Sequence, residues 1–136
     1  MTKPISPLVL CIDDESLGLK VRKAVLERAG FEVLTAENGP EGLDIFANNP
    51  IQVVVLDYAM PDMHGGEVAA RMRKTKPDVP ILLLSAYVDL APEVISTVDA
   101  YLTKGVGAPA LLSSLLQLLS GKAAVSASHL PRAVSA

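Results

Sequence analysis

The chain is predicted to be an α/β protein, a doubly wound five-stranded parallel sheet of order 2-1-3-4-5 with helices on both faces. Three observations predict this. LVLCI at 8–12 and VVVL at 53–56 are continuous apolar runs, the pattern of strands buried on both faces of a parallel sheet. Strand-like runs alternate with helical periodicity along the chain, ending in a fifth helix. The connections are too short for inserted domains, which leaves right-handed crossovers as the economical solution.

The elements follow in order. The first run, Leu8 to Ile12, ends on Asp13-Asp14-Glu15. Leu17, Val21, Ala24 and Val25 then recur at i, i+4, i+7 and i+8, which predicts a helix buried on that strip, with Gly30 just past its end. Glu32 to Ala36 is a short strand. Gly39-Pro40 opens a helix whose Leu43, Phe46 and Ala47 share a face, and Pro50 stops it. The central strand runs to Asp57, and Met60-Pro61 forbids its continuation. Gly65-Gly66 leads into a helix carrying Val68, Ala69 and Met72, closed by Pro77 and Pro80.

Ile81 to Leu84 is the fourth strand and ends at Ser85-Ala86. Pro92 to Val98 predicts a helix of barely two turns, and Ala100 to Thr103 a fifth strand ending at Lys104. Leu111, Leu112, Leu115, Leu116 and Leu119 mark the buried stripe of the last helix, with Leu118 off the stripe and Ser113, Ser114 and Gln117 outward. The expected domain is 6–121. Residues 122–136 lack periodicity and large apolar groups and read as a disordered tail or linker remnant. The doubly wound, flavodoxin-like order gathers the carboxyl ends of strands 1, 3, 4 and 5 along one edge, where such sheets bind ligands.

Composition excludes several roles. A chain of 136 residues, half of them apolar, supports one domain with a real core. A net charge of −3 and a pI near 5.3 argue against direct nucleic-acid contact or an anionic membrane surface. No apolar run reaches the roughly 20 residues of a membrane span. The opening MTKPISPLVL lacks the apolar core and cleavage site of a secretion signal, so a cytoplasmic location is expected. The single cysteine, Cys11, sits inside an apolar strand and reads as a small buried hydrophobe.

The chemistry is at the strand ends. Asp13, Asp14 and Asp57 would repel one another at that edge unless a cation intervenes. All-oxygen ligands with few carboxylates suit Mg²⁺ better than Ca²⁺. Lys104 and the Ser85 hydroxyl would take the remaining oxygens of a phosphoryl group. A carboxylate nucleophile, a hard cation, a lysine and a hydroxyl complete a site for phosphoryl transfer onto Asp57.

These residues, with Asp57-Tyr58-Ala59-Met60-Pro61 followed by Gly65, with Ser85-Ala86, and with Tyr101-Leu102-Thr103-Lys104, give the chain its resemblance to the CheY-like receiver domain of response regulators. The similarity runs through residues 6 to 120. The resemblance implies that Asp57 accepts a phosphoryl group from the phosphohistidine of a histidine kinase or histidine phosphotransfer protein. It implies that Asp14, Asp57 and the Ala59 main-chain carbonyl hold Mg²⁺, with Asp13 acting mostly through a bound water. It further implies that Ser85 moves toward the acyl phosphate while Tyr101 swings inward, shifting the surface that a downstream protein reads. A monomer or weak dimer is expected.

Plainer roles fit the remaining polar residues. Glu15 reads as a helix-start charge, His64 and His129 as solvated groups, and Asp62 as a loop charge. Gly105 stands where the family usually has proline after the lysine, and the interval from Ser85 to Lys104 is about one helical turn short. Two other functions share part of the pattern. An aspartate-nucleophile phosphatase needs an acid two residues after the nucleophile, where this chain has Ala59. A flavodoxin-like scaffold would need no acidic cluster.

Overall fold

Side chains alternate across a strand, so a strand that is apolar at every position needs cover on both faces. The computed structural model, which describes residues 6–87 and 89–121, meets that need with five parallel strands. They are β1 (Leu8–Ile12), β2 (Glu32–Ala36), β3 (Val53–Asp57), β4 (Ile81–Ser85) and β5 (Ala100–Thr103). Their order, β2-β1-β3-β4-β5, is the predicted one. The helices are α1 (Ser16–Arg28), α2 (Gly39–Asn48), α3 (Gly65–Thr75), α4 (Pro92–Ile95) and α5 (Ala108–Leu119). The tail reading for 122–136, His129 included, lies outside the described residues.

The two sides of the sheet hold separate cores. Val9, Cys11, Val53, Val55, Leu82 and Leu84 pack with α1 and α5, whereas Leu10, Ile12, Val54, Leu56, Ile81 and Leu83 pack with α2, α3 and α4. Cys11 is fully buried, and desolvation pushes its thiol up to about 12, so it is a core residue with no nucleophilic role.

Three helices sit differently on the sheet than their periodicity predicts. In α1 the predicted inward strip faces out: Leu17 is 76% and Val21 56% exposed, while Leu19 and Leu26 are buried. Two apolar strips compete on this helix, and the one that wins carries Arg22, whose Nη1 lies 3.1 Å from the buried Asp13 carboxylate. In α5 the buried strip is Leu111, Ser114, Leu115 and Leu118, and Leu116 points to solvent. Both rows satisfy helical spacing, and the sheet selects the one spaced i, i+4, i+7 from Leu111. In α2, Gly42 and Phe46 turn inward and Ala47 is exposed.

The fourth helix is a single turn and stops at Ile95 instead of Val98. The Ser96 and Thr97 hydroxyls donate to the Glu93 carbonyl at 3.0 and 2.7 Å, an alternative to continuing the helix. What fixes the segment after it is Arg73 of α3. Its guanidinium donates to the carbonyls of Thr97 (2.9 Å), Pro77 (3.1 Å) and Val79 (3.1 Å), and pairs with Asp99. Asp99 in turn accepts the Ile81 N–H at 2.8 Å, so one side chain ties α3 to the starts of β4 and β5. Arg73→Ala strands three carbonyls and a carboxylate and should cost about 3 kcal/mol in urea unfolding. Arg73→Lys, with one charged nitrogen, should restore only part of that.

Candidate metal and phosphoryl-acceptor site

Strand register brings the predicted polar residues level. Ile12 pairs with Leu56, Asp57 with Leu84 and Ser85 with Thr103. Backbone bonds extend the ladder past the strands: Asp13 N–H donates to the Ala36 carbonyl (3.1 Å), Tyr58 N–H to Leu84 (2.9 Å) and Lys104 N–H to Ser85 (2.8 Å). Asp13, Asp57, Ser85 and Lys104 therefore share one edge. The loop after β3 is drawn tight by Gly65, whose N–H donates to the Tyr58 carbonyl at 2.7 Å. A Cβ at Gly65 would lie 2.6 Å from the Asp57 carbonyl oxygen, so only glycine lets α3 begin here.

Asp13 and Asp57 are almost completely buried and Asp14 is exposed. Each of the three offers a carboxylate oxygen, and those oxygens lie within 4.8 Å of one another. Lys104 Nζ stands 3.0 Å from Asp57 Oδ1, 3.4 Å from Asp13 Oδ2 and 4.0 Å from Glu15 Oε1. The donor set is all oxygen, partly buried and open on the Asp14 side, which fits a Mg²⁺ ion that keeps several waters.

Electrostatics separate the two buried carboxylates. Burial raises the pKa of Asp57, and the charges of Asp13 and Asp14 push the same way, so that Lys104 does not bring it back to the ordinary range. Burial also works to raise Asp13, but the Glu15 N–H, Lys104 and Arg22 outweigh it and hold that carboxyl below its usual value. Lys104 loses solvation, which lowers its pKa, yet Asp57 and Asp13 carry it above the normal lysine value. Two carboxylates of one site in different electrostatic environments are the arrangement expected of distinct roles.

The other predicted residues fall as follows. Ser85 is buried, and its Oγ accepts the Tyr87 N–H at 2.9 Å while its own O–H is still a donor. Ala59 is exposed two residues past Asp57. Tyr101 is half-buried beside Leu83, on the α4 side of the sheet. Two residues have parts the sequence did not reveal. His64 is the N-cap of α3, accepting the Glu67 N–H at Nδ1 (3.3 Å), with its ring 5.4 Å from that of Tyr58. Arg22 reaches the site from inside α1, where a helical arginine looks like one more solvated charge.

A groove of about 510 Å³ opens beside Lys104, between α1 and the loop after β5. Leu17, Val21, Val25, Val106 and Leu111 line it. Gly107, which N-caps α5 at a φ of 91°, is needed where this loop turns into the helix.

A doubly wound sheet with an acidic cluster and a lysine at its carboxyl edge defines a receiver-type signalling module. A sequence profile for the response regulator receiver domain matches residues 9–116, and the chain belongs to that family. It is 36% identical over 115 residues to Response regulator MprA of Mycobacterium sp. (strain KMS), covering 82% of this chain and 50% of that protein. The chain thus spans half the length of that curated relative. Among solved structures, a CheY-like receiver domain from Methanospirillum hungatei JF-1 superposes with a TM-score of 0.80 at 27% identity, over 86% of this chain and 96% of that one. TrrA from Thermotoga maritima, solved in complex with Mg(2+)-BeF, gives 0.77 at 36% identity, over 83% and 99%. The chain is a response regulator receiver domain, a signalling module of two-component systems. No described helix is long and apolar enough to cross a membrane.

Proposed function

We propose that Asp57 is the phosphoacceptor of a cytoplasmic signalling switch and takes its phosphoryl group from a phosphohistidine. The donor is a histidine kinase or a histidine phosphotransfer protein. The observation that carries this reading is the Lys104 ammonium 3.0 Å from the buried Asp57 carboxylate, beside two further aspartates. An Asp57 oxygen attacks phosphorus as the P–N bond to the donor imidazole breaks, and the electron pair leaves with that nitrogen. Lys104 balances charge gathering on the phosphoryl oxygens, and the Ser85 O–H donates to one of them. Asp14, Asp57 and the Ala59 carbonyl would hold Mg²⁺, with Asp13 acting through a bound water, and the ion would neutralise charge between the acceptor and the phosphoryl group.

The exposed Leu17, Val21 and Val106 offer a donor helix an apolar seat that ends at Lys104, next to the acceptor. The output runs through protein contacts or a further relay step. Ser85 and Tyr101 couple the acyl phosphate to the face built from β5, α5 and the one-turn α4, where Leu116 is 59% exposed.

The test is incubation of the protein with Mg²⁺ and a small phosphodonor such as acetyl phosphate. One hydroxylamine-labile adduct per chain, dependent on Mg²⁺, is the expected result. Continuous turnover of many phosphomonoesters would make the protein a phosphatase, and no adduct would leave a scaffold.

A further inference from the structure

Between the buried Leu19 and Leu26 of α1 lies Arg22, turned toward the sheet edge. Its side chain is only 15% exposed, and Nη1 lies 3.1 Å from Asp13 Oδ2. The other oxygen, Asp13 Oδ1, accepts the Glu15 N–H at 3.0 Å, and Lys104 Nζ stands 3.4 Å from Oδ2. Both oxygens of Asp13 are thus engaged by protein donors, and the carboxylate is oriented before any metal arrives. Arg22 also sets the local charge. Three carboxylates, with Glu15 at the rim, face two fixed cations, Arg22 and Lys104, which offset part of the attraction the edge exerts on a dication. A leucine at this helical position would pack with Leu19 and Leu26, so the arginine is not there to fill the core.

We propose that Arg22 is a positioning residue that keeps Asp13 out of the inner ligand set and thereby sets both the affinity and the identity of the divalent cation. The inference rests on the metal site of the proposed function and deepens it. Direct binding of a cation by Asp13 Oδ2 has to displace the guanidinium, whereas contact through a water does not. Holding one carboxylate back favours a small ion that retains its waters, which is Mg²⁺. Ca²⁺, which takes more protein oxygens, is disfavoured. Arginine suits this task because its charge persists at every working pH and its planar fork fixes the carboxylate it grips.

The experiment is calorimetric titration of the unphosphorylated chain with Mg²⁺ and, separately, Ca²⁺. Arg22→Gln should tighten Mg²⁺ binding about tenfold, the size expected for one unit charge acting on a dication across several ångström at high effective dielectric. Its gain for Ca²⁺ should exceed its gain for Mg²⁺, because Asp13 Oδ2 loses its guanidinium partner and keeps only the more distant Lys104, which leaves it room to coordinate. Arg22→Leu, which continues the Leu19 and Leu26 strip, should behave likewise and answers the question if the glutamine variant fails to fold. Arg28→Gln removes the same charge from the exposed last turn of α1 and should leave both affinities within about twofold, since separated surface charges are screened. Unchanged or weaker Mg²⁺ binding in a folded Arg22 variant overturns the proposal, as does an equal gain from Arg28→Gln. Failure of the unaltered chain to bind Mg²⁺ at all would remove the metal site itself, and this role of Arg22 with it.

Discussion

Asp57→Asn should abolish the Mg²⁺-dependent adduct while leaving the fold intact. The amide is isosteric and its oxygen still accepts from Lys104, whose Nζ is 3.0 Å from Oδ1, but it is not a nucleophile toward phosphorus. Its neighbours are poor substitutes. Asp13 has both oxygens held by Glu15, Arg22 and Lys104, and Asp14 is exposed outside the buried pocket. The same substitution should stabilise the metal-free protein at neutral pH. Burial, helped by Asp13 and Asp14, raises the pKa of Asp57 against the pull of Lys104. The folded state therefore binds this proton more readily than the unfolded chain does. Stability is lost as pH rises from the ordinary carboxylate range through the raised value. Asparagine removes that loss, so in chelator the variant should melt above the wild type at neutral pH. Its advantage should shrink as pH falls into the carboxylate range. Equal melting across that range would contradict the electrostatic account.

Lys104→Met should slow phosphoryl transfer to Asp57 by about 100-fold, the scale of losing one preorganised donor to developing charge. Methionine keeps much of the stem volume but removes the only ammonium that touches both Asp57 and Asp13 among the described residues. Lys104 also contributes to folding. Its pKa in the folded state stands above normal because Asp57 and Asp13 outweigh its desolvation. That stability is full below the ordinary lysine range and is lost as pH rises through the raised value. The methionine variant should accordingly be less stable than the wild type at neutral pH without metal, and added Mg²⁺ should recover more stability in it. Transfer at the wild-type rate in single-turnover measurements would show that the lysine is structural only.

Strands and their ends were legible in the sequence because a parallel sheet buries both faces. The runs LVLCI and VVVL then leave no room for another reading, and every polar break at a carboxyl end stands out. Helix orientation was less legible where a helix carries more apolar residues than it can bury. On α1 the row of Leu17, Val21 and Val25 is as regular as the row of Leu19 and Leu26, and only the buried row carries Arg22, paired to the buried Asp13. On α5 the leucines surround most of the helix, and the position of Leu111 over the sheet chooses Leu118 over Leu116. Arg22 is hidden for the same reason: an arginine counts as a surface residue in any amphipathic pattern, and only the buried Asp13 opposite makes it otherwise. His64 was hidden because capping depends on the Glu67 N–H three residues on, a local geometry that no apolar periodicity signals.

Borohydride reduction of the phosphorylated chain reads which carboxylate carries the phosphoryl group. An acyl phosphate on aspartate is reduced to homoserine, so peptide mass mapping reads the acceptor position. Homoserine is expected at position 57 alone, formed only when Mg²⁺ and the phosphodonor are both present. Homoserine at position 13 or 14, or modification unaffected by chelator, would contradict Asp57 as the acceptor.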